Sequence, residues 1–166
     1  MLKKNLLIFI LSLVTLFVQS EMINEIVVTG DWRETSLSDA GASLALITDE
    51  QIERKQLKHF EDVTYLVPNL NFAASDSRPR YFQIRGIGER SGYEGTPNSS
   101  VGFLIDDIDF SGQGGIASTF DIEQIEIYRG PQGSRMGANA LAGMVYIKTK
   151  DPKDFFQLQG LSLIHI

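Results

Sequence analysis

Four glycines, Gly130, Gly133, Gly137 and Gly143, lie in the stretch IYRGPQGSRMGANALAGM between two apolar, alternating flanks. Glycine-rich turns can close backbone N–H groups around a phosphate. A P-loop also needs Lys-Ser or Lys-Thr after its last glycine, and here Gly143 is followed by Met144. A dinucleotide fingerprint needs a long helix and an acid about 20 residues further on. The pattern predicts only a helical stub over residues 138–142. Phosphate binding therefore fails, and the glycines read as tight turns and close backbone packing.

Asp106, Asp107 and Asp109 raise calcium as a second possibility. An EF-hand loop counted from Asp106 needs glycine at its sixth place and glutamate at its twelfth, where Ser111 and Ala117 stand. Acid–base catalysis has no nucleophile or base beside these carboxylates. They read as a turn with solvated acids. His59 has no second His or Cys nearby and reads as a surface residue. The other histidine, His165, lies in the final segment, so no Ser/His/Asp set for a hydrolase can be assembled. Catalytic, metal and cofactor sites are all expected to be absent. Arg78, Arg80, Arg85 and Arg90 alternate with aromatics, a pattern that can mark nucleic-acid contact. The chain carries a net charge of −6, which argues against nucleic acid as a partner. Carboxylate pairing suits these guanidinium groups better.

The elements that must position these residues are short. A segment comprising Glu25, Ile26, Val27, Val28, Thr29 and Gly30 is β-branched and extended, and residues 31–41 after it are polar and aperiodic. Two readings stand side by side: a first edge strand, or a strand offered to another chain by β-augmentation. Residues 43–47 alternate as a strand. Thr48 and Gln51 have the spacing of a capping box ahead of a short polar helix. Phe60, Val63, Tyr65 and Leu66 give a second helix one buried face, ended by Pro68. Strands follow at residues 70–73 and 81–84. Val101, Phe103 and Ile105 share a strand face, with a turn at Asp106-Asp107 and a return through Ile108 and Phe110. Further strands flank the glycine-rich stretch, at QIEIYRG and MVYIKT.

Of the 166 residues, 43% are apolar and 22% charged, and none is cysteine. That is enough for one core and excludes a disulfide framework. Residues 1–20 have the three-part layout of a secretory signal peptide: Lys3 and Lys4, an apolar run over residues 6–18, and Val18 and Ser20 before a cut after Ser20. Thirteen residues fall short of the ~20 that a membrane-spanning helix needs. Loss of the two lysines takes the net charge from −6 to −8.

Taken in order, these segments resemble the plug domain of TonB-dependent outer-membrane receptors. The family's signature has the form IEVxRGPxGxxYGxxAxxGxINIxTK, and this chain reads IEIYRGPQGSRMGANALAGMVYIKTK. FQIRG resembles the plug's Ile-Arg-Gly motif, VGFLIDDIDF its strand-turn-strand, and EIVVTG the TonB box. ITDEQIE and LVPNL resemble the first helix and its Pro-Gly turn. Three residues depart from the family pattern: Met136 replaces Tyr, and Asp107 and Asn69 each replace Gly. Asn and Asp tolerate left-handed backbone better than other non-glycine residues, so both turns are expected to survive.

The resemblance implies an α+β fold, a small mixed sheet with short helices and long loops. It implies a signal peptide at 1–20, the TonB box and a flexible linker at 21–41, and the plug at 42–152. Residues 153–166 are the start of a missing barrel or an artefactual tail. The plug would fill a barrel of about 22 strands that this chain does not contain, making it part of a longer receptor. That receptor would sit in the outer membrane and import a scarce nutrient such as a ferric siderophore, with TonB and a small metal chelate as partners. The plug motif comprises Arg85, Gly86, Arg129, Gly130, Pro131, Gly133, Gly137 and Gly143, with both arginines facing acids on the barrel wall. Loops at 74–80, 88–100 and 111–119 would face the ligand, with Arg78, Arg80, Arg90, Tyr93 and Gln113 the candidate contacts. The alternative is a free-standing periplasmic binding or signalling module. Downstream sequence encoding about twenty amphipathic strands would decide for the receptor.

Overall fold

The computed structural model describes residues 26–30, 35–74, 79–91, 98–113, 117–137 and 139–153. The expected signal peptide, Glu25, residues 31–34 and the tail beyond residue 153 lie outside them.

A five-stranded mixed sheet organises the chain. Its strands are β3 (Leu44–Thr48), β8 (Ile122–Tyr128), β9 (Gly143–Thr149), β6 (Val101–Ile105) and β7 (Ile108–Asp109), side by side in that order. Only the β6–β9 pair is parallel. Two small hairpins stand apart, β1 (Val27–Val28) with β2 (Thr35–Ser36), and β4 (Leu70–Ala74) with β5 (Pro79–Ile84). The helices are α1 (Asp49–Lys55), α2 (Phe60–Thr64) and the single turn α3 (Gly133–Met136). The α+β class and the small mixed sheet match the sequence expectation.

Strand alternation sends side chains to both faces of the sheet, and both faces are covered. On the first face, Ile125, Ile127, Val145, Ile147, Val101 and Phe103 pack beneath α1, α2 and the β4–β5 hairpin. Phe60 meets the rings of Phe82 and Phe103 edge-on, at centroid separations of 5.1 and 5.0 Å, while those two stack at 5.4 Å. Such offset and T-shaped contacts add to the plain area buried. The second face carries Leu104, Tyr128, Met144 and Tyr146, packed with Val28 and Ala140. The N-terminal segment and the glycine-rich connector thus form the lid of a second, smaller core.

Four expectations need correction. Thr48 occupies the N-cap of α1, but its side chain makes no cap bond. It is still the last residue of β3, paired with Gln124, and Asp49 Oδ1 instead accepts the N–H of Glu50 at 2.7 Å. Tyr65 does not share the buried face of α2. The helix stops at Thr64, Tyr65 is its exposed C-cap, and Val67 continues the apolar row. The helical stub lies at Gly133–Met136 rather than 138–142, because Gly137 breaks the turn at φ +63°. The stretch 21–41, expected as coupling strand and flexible linker, is not wholly free: Val28 is buried and β1 pairs with β2 within it, in keeping with the edge-strand reading of residues 25–30.

The two departures from family glycines keep their turns as expected. Asn69 has φ +65°, and Asp106 and Asp107 have φ +47° and +69°. The last two join Ile105 to Ile108 in the doubly left-handed geometry that two-residue hairpins require. Arg85 and Gly86, at φ +54° and +81°, build the same kind of turn between Ile84 and Ile87.

Candidate functional site

The functional candidates fall into three places. The first is the N-terminal segment on the second face of the sheet. Gln124, Glu126 and Tyr128 alternate along β8 and point to that face. Glu126 is fully buried. Its Oε1 accepts the Thr29 N–H at 2.7 Å, the Thr29 hydroxyl at 2.9 Å and Gln124 Nε2 at 2.7 Å. Its Oε2 accepts the Gly30 N–H at 2.8 Å and the Tyr128 hydroxyl at 2.7 Å. Gln124 Nε2 also donates to the Val27 carbonyl and to Thr29 Oγ1, each at 3.1 Å. One strand of the sheet therefore grips a segment nearly a hundred residues away. Sequence reading passed over Glu126 and Gln124. Their signal was a polar pair inside the strand QIEIY, whose apolar neighbours already supply one buried face.

The second place is the motif pair. Arg85 has an exposed contact, Nη2 to Ser43 Oγ at 3.3 Å, and its own N–H donates to the Asn69 carbonyl at 2.9 Å. The N–H of Arg129 donates to the Ser43 carbonyl at 2.8 Å, so both arginines converge on Ser43. The Arg129 Nε is buried without a hydrogen-bond partner among the described residues. Leaving such a donor unmet costs roughly 1–3 kcal/mol. Around the connector, Gly143 fits closely: an added Cβ would lie 2.3 Å from the Tyr128 carbonyl oxygen and 2.6 Å from Ile84 Cδ1. Among the described residues an added Cβ at Gly130 or Gly133 would meet nothing within 4 Å, and Gly86 and Gly137 owe their places to positive φ. Pro131 is exposed beside them. Met136, the residue that replaces tyrosine, sits over Gly102, whose added Cβ would lie 2.9 Å from the Met136 Cε. Thus only part of the glycine-rich stretch is close packing.

The third place is the loop set. Arg80 lies 5.8 Å from the Tyr81 ring centre and donates from Nε to the Gly112 carbonyl at 3.3 Å, next to exposed Gln113. Two of the three expected loops are therefore tied together. Arg90 is exposed on the remaining loop, beside Glu89, whose Oε1 accepts the N–H and hydroxyl of Ser100 at 2.9 and 2.6 Å. Arg78 and Tyr93 lie outside the described residues.

The aspartates of the β6–β7 turn are engaged rather than merely solvated. Asp106 accepts from the Thr149 N–H and hydroxyl at 2.9 and 2.7 Å. Asp107 pairs with Arg135, whose guanidinium lies over the Tyr146 ring at 5.2 Å. Burial, followed by the charge of Asp107, raises the pKa of the Tyr146 phenol. Asp109 accepts from the Ser111 N–H and from Asn139 Nδ2. His59 is exposed, and its N–H, like that of Lys58, donates to Asp62.

A sheet wrapped on both faces, closed by a glycine-rich connector and carrying exposed loops and a docked N-terminal strand, defines a plug-type domain. The chain belongs to the TonB-dependent receptor plug domain family, whose model matches residues 36–144. The vitamin B12 transporter BtuB of Vibrio vulnificus strain CMCP6 is 31% identical over 131 residues, covering 75% of this chain and 20% of the transporter. The chain thus spans about a fifth of the length of the curated relatives it matches. Among solved structures, the ferripyoverdine receptor of the outer membrane of Pseudomonas aeruginosa aligns with a TM-score of 0.60 at 18% identity, covering 77% of this chain and 17% of the receptor. The alcaligin outer membrane receptor FauA of Bordetella pertussis aligns at 0.58 and 20%, covering 75% and 21%. These structural likenesses establish the fold, and the proteins concerned are transport receptors rather than enzymes.

Proposed function

We propose that this domain is the gate of an outer-membrane receptor that imports a scarce metal chelate with energy delivered through TonB. The family match over residues 36–144 carries the reading. The named relatives handle vitamin B12, ferripyoverdine and alcaligin, which points to a bulky chelate as the cargo. In this reading the ligand meets the loops around Arg78, Arg80, Arg90, Tyr93 and Gln113. Residues 25–30 are the strand that TonB takes up. A barrel encoded with this domain encloses it.

The Nε of Arg129, unmet among the described residues, and the exposed Arg85 support contact with acids outside this domain. A partly shielded ion pair is costly to break from one side. Arg85→Ala and Arg129→Ala are expected to loosen the plug in the complete receptor, seen as faster proteolysis of the domain. In the 166-residue chain by itself they should hardly change the melting temperature. Equal destabilisation of that chain would show that both arginines pair internally instead.

Export is proposed to follow cleavage after Ser20. Expression in a Gram-negative host should give a mature N-terminus at Glu21 by N-terminal sequencing. A product that retains Lys3 and Lys4 would refute this step. Uptake of labelled cyanocobalamin and of ferric siderophores by cells expressing the complete gene tests the reading as a whole. Accumulation of at least one such chelate, abolished without TonB, is expected.

A further inference from the structure

We propose that Asn139 and Asp109 are positioning residues that set three exposed loops into one surface for the cargo. That there is a cargo rests on the reading proposed above. Residues 139–142 of the glycine-rich connector hold the described roots of two of these loops, and the third is tied to them. Asn139 Nδ2 donates to Asp109 Oδ2 at 3.1 Å, and Asp109 Oδ1 accepts the Ser111 N–H at 2.8 Å. Ser111 Oγ in turn accepts the Phe103 N–H at 3.1 Å. One carboxylate thus joins the connector to the start of the loop at 111–119. The Ala140 N–H donates to the Ser99 carbonyl at 3.0 Å and the Ala142 N–H to the Ser100 carbonyl at 2.8 Å, which fixes the end of the loop at 88–100. The third loop arrives through Arg80, whose Nε donates to the Gly112 carbonyl. The three meet at Gly112, where an added Cβ would lie 3.8 Å from Ser99 Oγ.

Stability does not account for Asn139. Its Oδ1 is buried with no partner among the described residues. An unmet buried acceptor costs more than a hydrogen bond to a solvent-exposed group returns. Asp109 is exposed, so water can replace the amide as its donor. Leucine, of similar size, would remove the unmet oxygen and the bond together. What leucine cannot supply is direction, since a hydrogen bond has a preferred geometry and apolar contact has none. Ala140 and Ala142 hold their loop by backbone groups, and Asn139 supplies the side-chain contact to the other. The amide therefore serves the relative placement of the loops.

Paired nitroxides test this placement, since the chain has no native cysteine. Labels on Asn98→Cys and Gln113→Cys, both exposed, flank the junction. Labels on Glu50→Cys and Arg54→Cys, on the exposed side of α1, serve as the control pair. Dipolar broadening is compared in the full chain with and without Asn139→Leu. At the first pair it is expected to fall by about half or more, with no change at the second pair and no drop in melting temperature. Should Asn139→Leu fail to fold, Asp109→Ala removes the same bond from an exposed site and is expected to give the same loss. Asp109→Asn, which can still bond Asn139 once either amide turns, is expected to keep the broadening. In the complete receptor, Asn139→Leu is expected to weaken surface binding of labelled cyanocobalamin or a ferric siderophore, whichever the natural receptor takes, about fivefold, the effect of one hydrogen bond. Unchanged broadening at the first pair would overturn the proposal, as would equal loss at both pairs or unchanged affinity. If the natural receptor binds neither probe, the import reading fails, and the nitroxide result still decides whether Asn139 and Asp109 seat the loops.

Discussion

Gly143→Val is expected to lower the stability of the domain by about 3 kcal/mol, the upper range for overpacking a well-filled site. The new Cβ would stand 2.3 Å from the carbonyl oxygen of Tyr128, and that oxygen belongs to the neighbouring strand. It would also stand 2.6 Å from Ile84 Cδ1 in the first core. A flexible side chain could swing away, but the β8 backbone cannot do so without breaking the β8–β9 pairing at its end. Gly130→Val, at a site with nothing within 4 Å among the described residues, should cost less than about 1 kcal/mol, as surface substitutions generally do. Thermal or urea unfolding of the two variants beside the natural chain measures the difference. Equal stability of the two would show that β9 does not start where the structure places it.

The second large effect is on transport. Proline removes a backbone donor and fixes φ, so it damages a strand that must pair far more than a side-chain change does. Val27→Pro in the complete receptor is expected to abolish energised uptake, while surface binding of the same labelled chelate persists. Val27 is 38% exposed and belongs to neither core cluster. The loss should therefore fall on coupling and on the seating of residues 26–30, not on the five-stranded sheet. Val27→Ile preserves the backbone and the branching and should transport within about twofold of the natural receptor, as a tolerated surface change would. Loss of ligand binding together with uptake would identify the segment as an ordinary structural strand of the plug.

Much of this architecture was legible because its signals are local. Alternation placed the strands around the glycine-rich stretch, and the left-handed tolerance of Asn and Asp accounted for the turns at Asn69 and Asp107. The turn at Arg85 was less legible, since arginine has no local preference for the left-handed region it occupies there. What stayed hidden depends on distant partners. Residues 26–30 look like an extended strand on a free tether because β-branching and a polar sequel describe only the segment and its neighbours. Nothing local reveals that Glu126, 96 positions beyond Gly30, will meet it. Gly130 and Gly143 likewise look alike in the sequence, and only the sheet register puts Tyr128 against one and open space beside the other.

The proposed role of residues 25–30 is that of the strand by which TonB engages this plug. Its most direct test is binding of the purified periplasmic domain of TonB to the complete receptor, measured for the natural receptor, Val27→Ile and Val27→Pro in parallel. The account predicts similar affinity for the first two and at least a tenfold loss for the proline variant, about the effect of losing one or two strand hydrogen bonds in a paired edge. Undiminished binding by Val27→Pro would contradict it.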